Sequence, residues 1–238
     1  SELASLSSKR PLERKARMAL GILFADTGNI SEAIECYAHA LEIAQGLADK
    51  DGECVVWINI GVALLYAAQY RDAIDCFDRV LAIVGDNPAF HASRHSALSN
   101  IALASLHLED FARGLRAAEA ALKEIREPQN AKEMLSRVLL ENNYTRLLLE
   151  VNSIERAVER CAIAKRYAAE SHSARAEVAA AIAEGLCEVH AGKADVGISR
   201  LTATLEKARL LRAMLRDALA ALVKSFELLG QPQRALVY

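Results

Sequence analysis

Proline and glycine are scarce, at 4 and 11 of 238 residues. A β-sandwich or barrel needs many turns, and this chain has too few turn formers to supply them. Aromatic residues make up only 5%, with a single tryptophan. That leaves little to stack on nucleic-acid bases. No sign of charge dominates either: 29 Lys and Arg against 31 Asp and Glu give a net charge of -2. Such a balance exerts no global pull toward nucleic acid or an anionic membrane. No apolar run approaches the roughly 18 residues of a membrane span, and no secretory leader opens the chain. Cysteines are odd in number and scattered through apolar stretches, at Cys36, Cys54, Cys76, Cys161 and Cys187. They read as reduced core residues of a cytoplasmic protein, not as a disulfide framework. What remains is 53% hydrophobic, nearly all aliphatic, and 25% charged. This is too apolar for disorder, and it predicts long helices.

Self-similarity organises those helices. A helical stretch with a small residue mid-face meets a short polar break, and a second helix then brings Ala or Gly to a fixed place. The first copy runs through Gly21, Gly28-Asn29, Ile30, Ala33, Tyr37 and Ala40. The second has Trp57, Gly61, Leu64, Tyr70, Ala73 and Phe77. Fainter copies follow, and the small residue of the second helix falls at 33, 73, 114, 157, 197 and 235. The steps of 40, 41, 43, 40 and 38 are too even for chance. Close approach of two antiparallel helices requires small side chains at the crossing, which explains the alanine surplus. Gly28, Gly192 and Gly230 read as helix stops, and Pro232 as a first-turn residue. The helix pairs are expected at 12–47, 52–84, 89–126, 130–170, 173–208 and from 211 onward. The sixth copy breaks off at Tyr238 about two turns into its second helix. That predicts a fragment of a longer protein.

The pattern resembles the tetratricopeptide repeat family over roughly residues 14–238. It is best carried by Trp57, Ile60, Gly61, Leu64, Tyr70, Ala73 and Phe77. The family period is about 34 residues, and the longer steps here resemble the subclass of kinesin light chains and bacterial maltose-activator-type regulators. The resemblance implies an all-α, right-handed α-solenoid of about six antiparallel helix pairs. It would be a single domain over 1–238, with first helices lining a concave groove. Thr145 and Val223 depart from the pattern by replacing the small residue of the first helix.

At 100° per residue, the groove stripe of the second copy is Val55, Asn59, Val62 and Tyr66. The third gives Ser96, Asn100, Leu103 and His107, and the fourth gives Leu139, Asn143, Arg146 and Glu150. Asparagine thus recurs in register at 59, 100 and 143, although it is a mediocre interior helix residue. A side-chain amide offers donors and an acceptor, so each can clamp one peptide unit of an extended partner. The resemblance implies the same use. The alternative is that these amides are solvated or cap the neighbouring repeat. Arg146 suits a partner carboxylate, or an internal pair with Glu150 at i+4. The stripes of the first, fifth and sixth copies carry Ala19, Ala183 and Ala221 where the Asn would stand. A ligand is therefore expected over copies two to four. Segment 55–66 is apolar nearly all round, which favours an exposed apolar patch for a partner over a helix covered on both sides.

Enzyme signals are absent. His91 and His95 stand at i, i+4, but no third ligand has the spacing of a metal site. Glycines fall at repeat positions and form no phosphate loop. The basic stretch Lys9–Arg17 reads as a solvated helix. The expectation is a non-catalytic scaffold without cofactor or metal. It would bind a protein or peptide in its groove and serve as the sensory or regulatory part of a larger bacterial signalling protein. Neither nucleic acid nor membrane is expected as a partner. The alternative is a self-association module, a homodimer that controls an output domain for transcription or cyclic-dinucleotide signalling.

Overall fold

The computed structural model describes residues 2–237, with side chains described for 9–211 and 214–237. Twelve α-helices are described: α1 Glu2–Thr27, α2 Ile30–Gly46, α3 Lys50–Tyr66, α4 Tyr70–Val84, α5 His91–His107 and α6 Phe111–Glu124. They continue with α7 Ala131–Glu150, α8 Ile154–Ser171, α9 Ala174–His190, α10 Ala194–Ala208, α11 Arg212–Leu228 and α12 Pro232–Ala235. The fold is all-α, with no strand among the described residues. Boundaries read from the sequence hold to within a few residues, with one exception. The first helix begins ten residues before the expected position 12 and runs through Pro11. Pro232 does stand in the first turn of α12. Tyr238 lies outside the described residues.

The chain divides into two compact units. The first holds residues 1–110 and 119–124, and the second holds 111–118 and 125–238. In the first unit, α1 packs on α2, α2 on α3, α3 on α4 and α4 on α5. Crossings form where small residues allow them. A Cβ added at Gly21 would lie 2.4 Å from the Tyr37 ring, and one at Gly61 would lie 2.5 Å from the Phe77 ring. Tyr37, Phe77, Ala33 and Ala73 are buried in the core that results. In the second unit, α7 packs on α8, α8 on α9, α9 on α10 and α10 on α11. Gly185 and Gly197 meet there almost backbone to backbone, because a Cβ at Gly197 would stand 2.6 Å from the Gly185 carbonyl oxygen.

A second repeat marker is invisible in the composition. The residue five places before each small crossing position has a left-handed backbone: Gly28, Ala68, Glu109, Asn152, Gly192 and Gly230. After each, the next N–H donates to a carbonyl five residues back, as from Asn29 to Phe24 and from Gln69 to Leu64. The same bond joins Asp110 to Ser105, Ser153 to Leu148, Lys193 to Glu188 and Gln231 to Phe226. This caps the first helix of every pair by satisfying an orphan carbonyl. Three of the six residues are not glycine, so the turn is set by the packing of the pair as much as by local preference.

Glu141 on α7 is fully buried beside Arg137 Nη2 at 2.7 Å and Arg160 Nη1 at 3.6 Å. Its Oε2 has no partner. Burial raises its pKa above the ordinary 4.5, against the pull of Arg137 and Arg160. A carboxyl with a raised folded pKa favours folding only while protonated, so its contribution is lost as pH rises from about 4.5 through the folded value. Glu188 has the opposite sign. Arg200 lowers its pKa, so its contribution is lost only as pH falls below 4.5. Above that pH, Glu141→Gln should remove a downward slope of stability. Urea midpoints measured from pH 4.5 toward neutrality test this. The same slope in both proteins would assign it to other groups.

Candidate functional site

The stripe of first-helix residues has a different fate in each unit. In the first unit it faces outward. Lys15, Ala19, Ile22 and Asp26 of α1 are exposed, as is Val55 of α3. Asn59, Val62 and Tyr66 of α3 are half-buried, and so are Ser96, Asn100, Leu103 and His107 of α5. Helices α3 and α5 pack on each other, so the two Asn-bearing stripes lie on neighbouring elements. Each amide is held by its own helix. Asn59 Nδ2 donates to the Val55 carbonyl at 2.8 Å, and Asn100 Nδ2 donates to the Ser96 carbonyl at 2.9 Å. One N–H is thereby spent, while an amide carries a second N–H and a carbonyl oxygen with two lone pairs. The back-bond fixes the rotamer, so less side-chain entropy remains to be lost on binding.

The rest of the stripe is aromatic and apolar. The His107 ring stacks on Tyr70 with centroids 4.5 Å apart and planes 5° from parallel. Val62, Tyr66 and Leu103 supply a half-buried apolar floor. That floor is narrower than the sequence suggests. Segment 55–66 is apolar all round because α2, α4 and α5 all pack on α3, which buries Val56, Ile60, Ala63, Leu64 and Leu65. The expected exposed patch is in fact a helix covered on several sides, with Val55 its one exposed large hydrophobic residue among those described.

In the second unit the corresponding stripe is closed. Helix α9 packs against both α7 and α11, and its Ala179, Ala183 and Leu186 are buried. The two alanines leave room for long side chains of α7 and α11 to meet. Arg146 Nη1 lies 3.4 Å from Asp217 Oδ1, and Lys224 Nζ lies 3.0 Å from Glu150 Oε2. Asn143 is only 6% exposed, beside a fully buried Thr145. Two expectations therefore need correction. Asn143 is a buried residue and not an open clamp. Arg146 is paired not with Glu150 but with Asp217, a carboxylate 71 residues away. Residue spacing along one helix carries no sign of such a partner, although the alanines at 179 and 183 were visible as the place where the stripe changes.

Two of the groups singled out in the sequence have structural partners. His95 Nδ1 lies 3.2 Å from the Ala121 carbonyl oxygen, and Arg14 of the basic first helix pairs with Asp49 at 3.3 Å. Among the described residues, no group of three or more His, Cys, Asp or Glu side chains gathers as a metal site. No described helix is long and apolar enough to cross a membrane.

The sequence model for the tetratricopeptide repeat matches residues 13–85, the first two helix pairs. A search of curated proteins gave no match. Among solved structures, the apo form of RapI is similar over 96% of this chain and 62% of that one, at 17% identity and a TM-score of 0.54. The chain thus spans less than two thirds of RapI's length. The TPR2AB domain of yeast Sti1, solved in a complex with pHSP90, is similar over 89% of this chain and 98% of that one. Its identity is 15% and its TM-score 0.43. The RapI likeness extends the fold beyond the matched pairs, and the crossing residues and capped turns recur through the sixth copy. Residues 13–85 are thus similar to the tetratricopeptide repeat, and the later helix pairs continue the same all-α fold.

Proposed function

We propose that this chain is a non-catalytic scaffold that holds an extended peptide segment of a partner protein on the α3–α5 face of its first unit. The observation that carries the reading is the pair Asn59 and Asn100. They stand in register on packed helices, and each is locked by a bond to its own backbone with donor and acceptor capacity to spare. Peptide units repeat along an extended chain, so two such amides read backbone without demanding a sequence. Val55, Val62, Tyr66 and Leu103 supply apolar contact for the partner's side chains, and the stacked His107–Tyr70 pair bounds the face. Exposed Lys15 and Asp26 on α1 offer charge selectivity. The family match covers this unit's first two helix pairs, which supports protein binding as the task. Service as the regulatory part of a larger bacterial signalling protein is supported by the resemblance to long-period repeats. The test is to pan a library of linear peptides on the chain and map the selected peptide by hydrogen exchange. Protection should appear in Lys50–Tyr66 and His91–His107. Protection confined to α9 and α11 would refute the reading.

A second reading, self-association, is favoured by the outward face of α1, where Leu12, Leu20 and Leu23 are exposed with Ala16 among them. Such a face gains stability from a second copy of itself. Sedimentation over a hundredfold range of concentration should then show a dimer that Leu20→Ser with Leu23→Ser dissolves. A monomer throughout would discard this reading.

A further inference from the structure

All five cysteines are buried and free. They are not equivalent. Burial pushes the Cys54 and Cys76 thiols up to about 11, which keeps them protonated and inert. Cys161 on α8 and Cys187 on α9 instead share a hydrogen bond between their thiols. Their helices pack directly on each other. Both residues line one cavity of about 240 Å³, walled also by Val158, Lys165, Glu184 and Glu188. That volume far exceeds the roughly 30 Å³ share of a water molecule, so a small polar oxidant can enter. Neither thiol has a part in the peptide-binding face, which lies in the other unit.

We propose that Cys161 and Cys187 are a peroxide-oxidisable dithiol that closes to an intramolecular disulfide tying α8 to α9. The Cys187 thiolate attacks one oxygen of a hydroperoxide. The O–O bond breaks, the displaced oxygen takes a proton and leaves as water or an alcohol, and Cys187 becomes a sulfenic acid. The Cys161 sulfur then attacks the Cys187 sulfur. The S–O bond breaks, the Cys161 proton leaves with the hydroxyl as water, and an S–S bond forms. Two thiols supply the two electrons that the peroxide takes up.

The surroundings suit these roles. Cys161 donates to Cys187, which lowers the Cys187 thiol against the upward pull of burial, Glu184 and Glu188, and raises that of Cys161. Cys187 is accordingly the attacking group and Cys161 the resolving one. The two carboxylates at the cavity are already engaged by cations. Arg200 takes Glu188 through two bonds of 2.8 Å and reaches Glu184 at 3.0 Å, and Lys165 also pairs with Glu184. Neutralised in this way, they repel a developing thiolate less. Closure shortens a hydrogen-bonded contact to an S–S bond of about 2.05 Å across two helices that already touch.

The test treats the full chain with a few equivalents of hydrogen peroxide, then denatures, alkylates and maps it by mass spectrometry. Two of the five thiols should disappear into a peptide linked through Cys161 and Cys187, with Cys36, Cys54 and Cys76 alkylated. Cys187→Ser should slow thiol loss at least tenfold, and Cys161→Ser should leave a sulfenic acid on Cys187 that dimedone captures. Alanine replaces serine at either position if the serine variant loses its helical circular dichroism. Five alkylated thiols after oxidation would overturn the proposal. So would a disulfide between chains, or a Cys161 variant that yields no dimedone adduct.

Discussion

Gly197→Ala is expected to cost about 2–3 kcal/mol of stability. Alanine is the better helix former by up to about 1 kcal/mol, so the substitution looks favourable from sequence alone. The geometry reverses that. The new Cβ would stand 2.6 Å from the Gly185 carbonyl oxygen and 3.0 Å from the Val189 backbone nitrogen. Neither atom belongs to a side chain that can rotate away, so α9 and α10 must separate. Separation opens the packing around Leu201, which is fully buried. At Gly61 the obstructing atoms are those of the Phe77 ring, and a ring can shift, so Gly61→Ala should cost less. Gly46 provides the control. It ends α2 on the surface with only Arg10 Nη1 nearby, at 3.5 Å. Gly46→Ala should be neutral or stabilising by a few tenths of a kcal/mol. Urea unfolding of the three variants distinguishes these outcomes. Equal stability of the Gly197 and Gly46 variants would show that the crossing is looser than described.

Much of this was legible in the sequence because it depends on periodicity. Ala33, Ala73, Ala157 and Gly197 announce the crossings, since nothing larger fits where two helices meet. The same register placed Asn59 and Asn100 on one face. Other features depend on what lies across the fold, and a single helix carries no trace of them. Three left-handed turns fall on Ala68, Glu109 and Asn152, where local preference alone does not specify that backbone. Only their fixed distance from the crossing residue marks them. Asn143 matches its two counterparts in sequence and differs in burial, because α9 brings alanines where a groove was expected. The Arg146–Asp217 pair and the Cys161–Cys187 pair join residues far apart in the chain, so spacing along one helix could not reveal either.

Replacing both Asn59 and Asn100 with alanine is expected to weaken a bound peptide by about 100-fold, since each lost hydrogen-bonded contact is worth about 1–1.5 kcal/mol. Neither substitution should harm the fold. Both side chains are only half-buried, each bonds within its own helix, and alanine favours a helix more than asparagine does. Asn143→Ala should do the opposite, lowering stability through the cavity it leaves in the second unit without changing affinity. The most direct measurement is calorimetric titration of the wild type and the Asn59→Ala, Asn100→Ala double variant with one peptide selected on the wild type, alongside far-ultraviolet circular dichroism. If the two amides clamp the peptide, affinity falls about 100-fold with helicity unchanged. Affinity that stays within about threefold, less than 1 kcal/mol, would contradict it.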